Sequence, residues 1–91
     1  MKRCIVDTKG FSGCSEEVAK RIQAWMAEHG IRSVELKPVS GHQYYAIYLN
    51  GLPEPVPGVV LAAEDLEDPE VLIATLEAAW IVFEHETAKA D

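Results

Sequence analysis

The chain has 91 residues, 48% hydrophobic and 25% charged, with a net charge of −7. That size sets one domain over residues 1–91 with a single modest core as the expectation, and the composition is that of a folded domain, not a disordered or fibrous chain. The charge is lopsided: residues 1–53 hold seven Lys+Arg and five Asp+Glu, residues 54–91 hold one and ten, which argues against a phosphate-backbone binder and for a basic partner or simple solubility.

The opening, Met1 to Asp7, is basic but has neither the apolar stretch nor the small-residue cleavage site of a signal peptide, so cytoplasmic residence is expected. Lys2 to Asp7 reads as a strand around the apolar triplet Cys4-Ile5-Val6. Thr8 to Cys14 is a glycine-punctuated loop. Ser15 then caps a helix running to about His29, with Glu16 and Glu17 in its first turn and Val18, Ile22, Trp25 and His29 on one stripe. Gly30 stops it, and Ile31 closes back onto Met26.

From Ile31 to Val39 the chain alternates, with Val34 and Leu36 facing in. Ser40-Gly41-His42 makes a turn. Gln43 to Leu49 is the next strand, with Tyr45, Ile47 and Leu49 on one side and Tyr44, Ala46 and Tyr48 on the other. These two strands form an antiparallel hairpin, and Asn50-Gly51 is the strongest short turn signal. The alternate prolines of Leu52 to Gly58 make an extended surface loop. Val59 to Ala62 is a short fourth strand.

The last helix opens at Asp68-Pro69-Glu70, an N-cap, a first-position proline and an acid at the positive end of the dipole. Its run Val71 to Phe83 has the greasiest surface in the chain. Leu72, Leu76, Ala79 and Phe83 follow one buried stripe, yet the apolar arc is wider than a surface helix needs. Either the helix is sunk deep into the core, or Ile73, Trp80 or Ile81 meets another chain, as in a homodimer. The run is too short and too acid-interrupted to span a membrane. The tail after about residue 86 is expected to fray. The fold class is therefore α+β: a two-layer, mainly antiparallel sheet of three to four strands with two helices on one face, in the order β-α-β-β-(β)-α.

Chemistry has one candidate. Cys14 stands next to a helix N-terminus, where the dipole lowers a thiol pKa, although Glu16 and Glu17 oppose a thiolate there. A disulfide with Cys4 is arithmetically possible but not expected in a reducing cytosol. His29, His42 and His85 have no metal-ligand spacing, so neither metal nor cofactor is expected. The layout strand, loop, Cys14, helix, strand, strand resembles the heavy-metal-associated domains, where a Cys-x-x-Cys loop binds a soft metal ion. Only Cys14 stands in a comparable place and no strand follows the last helix, so the metal function is not carried over. Three strands and a helix also resemble the double-stranded-RNA-binding fold. That fold starts its last helix with basic residues; here the place holds Glu64, Asp65, Glu67, Asp68 and Glu70.

This reversed charge is similar, by analogy, to the strategy of small acidic phage inhibitors, many anti-CRISPR proteins among them, which imitate a phosphate path. The expectation is a non-enzymatic protein-binding module, an acidic inhibitor or adaptor that presents these five carboxylates to a basic, nucleic-acid-handling partner without touching nucleic acid or membrane itself. Tyr44 and Tyr48, with Arg32, Lys37 and Gln43 around them, form a second contact site. The alternative is a thiol-dependent or soft-metal-handling protein that uses Cys14.

Overall fold

The computed structural model describes residues 3–39, 41 and 43–90. The strand start expected at Lys2 and the turn expected at Ser40 and His42 rest on residues outside that set. The strands are β1 (Cys4–Asp7), β2 (Phe11–Ser12), β3 (Ser33–Val39), β4 (Tyr44–Leu49) and β5 (Val60–Ala62). Helix α1 (Glu16–His29) lies between β2 and β3, and α2 (Pro69–Ala90) follows β5. All neighbouring strands are antiparallel, in the order β2-β1-β3-β4-β5. The α+β class holds, with five strands instead of three to four.

The added strand is β2, which the sequence presents as loop. Asp7 makes it: its Oδ1 accepts from the Lys9 and Gly10 amides at 2.7 and 2.8 Å, and its own N–H donates to the Gly10 carbonyl. This side-chain turn folds Phe11 and Ser12 back against Val6 and Ile5. Both β2 residues are exposed, so β2 has no buried face and no apolar pattern to announce it.

One core joins the sheet and the helices. Val6, Leu36, Ile47 and Leu61 from the strands meet Ile22, Trp25 and Met26 of α1 and Leu72, Leu76 and Ala79 of α2. Helix α1 begins at Ser15, whose hydroxyl accepts from the Val18 amide at 3.2 Å. It ends at Gly30 in the left-handed conformation, with the Gly30 and Ile31 amides both donating to the Met26 carbonyl. The proline loop is exposed except for Val56, which is buried in the core and whose amide donates to the Ile47 carbonyl.

Helix α2 runs to Ala90, past the residue where fraying is expected. It divides its wide apolar arc in two. Leu72, Leu76 and Ala79 are fully buried, with Ile73, Trp80, Val82 and Phe83 packed beside them. Val71, Ala74, Ala78 and Ile81 lie on the exposed side. Contacts between the helices rise together along both chains, from Trp25 with Glu77 to His29 with Trp80. The helices therefore run in the same direction, and their N-termini share one pole of the molecule. Among the described residues, no helix is long and apolar enough to cross a membrane.

Candidate functional site

Two parallel helices present two positive dipole ends at that pole. The sequence places carboxylates on both. Glu16 and Glu17 fill the first turn of α1. Glu64 and Asp65 sit in a 3-10 turn over Ala63–Asp65, Glu67 and Asp68 follow it, and Glu70 fills the first turn of α2. Asp68 is occupied in capping α2, since its Oδ1 accepts from the Val71 amide at 3.4 Å and its carbonyl from the Leu72 amide. Glu64, Glu67 and Glu70 are exposed and Asp65 is half-buried. The ion pairs among the described residues are Arg3–Glu35, Lys20–Glu16 and His29–Glu77. None of them neutralises residues 64–70.

The fold sets Tyr44 beside this ridge. Tyr44 pairs with Ala62, the residue before the 3-10 turn, and the Ala63 amide donates to the Gln43 carbonyl at 2.9 Å. Tyr44 is exposed on the sheet face away from the helices. Tyr48 is on the same face but four residues down β4, about 13 Å away at the rise of a strand. It pairs with Glu35, and the Lys37 ammonium lies over its ring at 4.5 Å. The two tyrosines therefore share one sheet face, and Tyr44 is the nearer to the carboxylates in the ladder.

A shallow apolar trough continues the ridge along α2. It lies between the edge strand and the helix, with Val59, Val60, Val71, Ala74 and Ala78 on its walls and Glu70 at its rim. Of the three residues considered for a second chain, Ile73 packs against the core, and Trp80 meets the tilted ring of His29 and stacks on Phe83 within this chain. Ile81 is 65% exposed. A second cleft, between the proline loop and the far half of α2, has Leu52, Val56 and Phe83 on its walls and Glu54 and Glu86 at its rim.

Cys14 does not have the environment of an activated thiol. Burial raises its pKa and the nearby Glu67 carboxylate raises it further, against the lowering effect of a hydrogen bond with Cys4. The neighbour that sequence spacing could not supply is Cys4 itself. Its thiol is raised far above the ordinary range by burial first, then by its contact with Cys14. Both cysteines are free thiols.

One polar cluster has no signature in the sequence. Glu77 accepts from Trp25 Nε1 at 2.8 Å and lies 3.2 Å from His29 Nε2. The rings of Trp25, His29, Trp80 and Phe83 follow one another at centroid distances of 4.8, 5.0 and 5.7 Å. The hydrogen bonds from His29 and Trp25 hold the Glu77 carboxyl below its ordinary range. The cluster fastens α1 to α2. Trp25 and His29 stand at helical spacing, but no local pattern pairs them with a residue about fifty positions on. No group of three or more His, Cys, Asp or Glu among the described residues is arranged to hold a metal ion. Comparison with known proteins finds no matching family model, curated protein or solved structure.

Proposed function

We propose that this protein is a non-enzymatic binding module that presents its acidic pole to the basic surface of a partner protein. The observation that carries this reading is the run Glu64, Asp65, Glu67 and Glu70, without cationic partners among the described residues and continuous with an apolar trough. Carboxylates alone can serve as helix caps and solubilising groups. A carboxylate run that leads through Glu70 to Val60, Val71 and Ala74 gives a surface with a charged edge and an apolar floor, the composition of a protein-binding patch. A partner surface that ordinarily holds polyphosphate has the matching charge, and occupying it would make the protein an inhibitor. Opposite charge steers such encounters and speeds association at low salt.

The net charge of −7 opposes self-association through this pole, so the occupant is a basic protein and not a second copy. The thiol-dependent alternative is the weaker reading, because burial and the nearby Glu67 carboxylate raise the pKa of Cys14. The test is affinity capture with the wild type, a Glu64→Lys/Glu67→Lys/Glu70→Lys variant and Cys14→Ser. Binding that survives Cys14→Ser and is lost in the charge-reversal variant supports the acidic-pole reading. The opposite pattern would sink it.

A further inference from the structure

Cys4 and Cys14 stand ten residues apart in sequence, yet the hairpin of β1 and β2 brings them side by side. Ile5 faces Ser12 in the ladder, so the next step sets Gly13 opposite Cys4. The backbones are close there: a β-carbon on Gly13 would lie 3.4 Å from Cys4 Cα and would overlap the Arg3 carbonyl. Pleat alternation would then send residue 14 to the face opposite Cys4. Gly13 changes that parity. Its φ of +82° turns the chain, and Cys14 packs against the same core that buries Cys4. The Cys14 thiol also lies 3.9 Å from the Ser12 carbonyl. A disulfide needs α-carbons about 4.4–6.8 Å apart; Gly13 faces Cys4 at the roughly 4.5–5.5 Å of an antiparallel pair, and Cys14 is the next residue on.

We propose that Cys4 and Cys14 are a reversible dithiol–disulfide pair, closed by a small-molecule disulfide oxidant, that ties β1 to the start of α1. Cys14 is the more exposed of the two and reacts first. The Cys14 thiol gives its proton to solvent, and the thiolate attacks one sulfur of an oxidant such as oxidised glutathione, whose S–S bond breaks. A mixed disulfide forms on Cys14 and one glutathione thiolate leaves. Cys4 then gives its proton to solvent and attacks the Cys14 sulfur. The second glutathione is expelled as the Cys4–Cys14 bond closes. The protein loses two hydrogens with their electrons, and the oxidant gains them as two thiols. Burial of Cys4 confines the second step to its one neighbouring sulfur, so the product is intramolecular.

The experiment treats the full chain with excess oxidised glutathione and reads intact mass, free thiols, non-reducing electrophoresis and Tm. The expected product is a monomer without free thiols and lighter by two hydrogens. Its Tm rises by about 5 °C or more, and dithiothreitol restores the starting state. Cys4→Ala is expected to stop at a stable glutathione adduct on Cys14. The wild-type mass decides the matter even if that variant does not fold. A wild-type product that keeps glutathione, that retains both thiols, or that links two chains overturns the proposal.

Discussion

Gly10 and Gly13 lie in one loop and face different demands. Gly13 has φ +82° and its missing β-carbon leaves room for the Arg3 carbonyl, whereas nothing lies within 4 Å of a β-carbon on Gly10. Gly13→Ala is therefore expected to destabilise the protein by about 1–3 kcal/mol or more, from backbone strain plus overlap. Gly10→Ala stays within about 0.5 kcal/mol. Urea unfolding of the two variants checks the difference. Glu77 makes a second prediction at this scale. Its carboxyl binds a proton less readily in the folded chain than in the unfolded one. Its contribution to stability is thus fully present above the ordinary carboxylate pKa and is lost as the pH falls through the lowered folded value. Glu77→Gln keeps an acceptor for Trp25 but has no proton to gain. Its Tm is expected to fall less steeply between neutral and acid pH than that of the wild type. Equal slopes would show that Glu77 has no part in acid unfolding.

Among the elements, α2 separates its two stripes clearly enough to test. Leu76 is fully buried, and Leu76→Ala is expected to cost about 2–5 kcal/mol. Ile81 is exposed, and Ile81→Ser is expected to stay within about 0.5 kcal/mol. Ser15 caps α1 through the Val18 amide, so Ser15→Ala costs about 1 kcal/mol. Chemical denaturation of all three reads these values. What is legible in the sequence follows the same lines. Ser15, Gly30 and the alternation in β3 and β4 are local signals with local causes, and the structure bears them out. The strand β2 is not legible, because it rests on one Asp7 side-chain turn and exposes both its residues. Whether Trp80 faces the core or another chain is not legible, because periodicity gives the width of an apolar arc and not the rings beside it, here His29 and Phe83.

The whole molecule concentrates acid where its two helices begin. The parallel direction of α1 and α2 explains why carboxylates from residues 16–17 and 64–70 share one pole, and helix dipoles alone make that arrangement favourable. The sequence shows the second group as a charge run, but not its neighbour Tyr44, nor the trough that extends from Glu70. Those depend on strand pairing and helix placement. The nearness of Cys4 to Cys14 is also illegible, because a ten-residue spacing matches no thiol motif and it takes the β1–β2 register and the turn at Gly13 to close it.

Binding through the acidic pole is tested most directly by the capture experiment run at low and at high salt. A basic protein is expected to be retained by the wild type and by Cys14→Ser at low salt. It is expected to be lost with Glu64→Lys/Glu67→Lys/Glu70→Lys, and lost from the wild type as the salt is raised, because exposed charges are screened beyond about 8–10 Å. A partner retained equally by the charge-reversal variant, or indifferent to salt, would contradict a binding role for this pole.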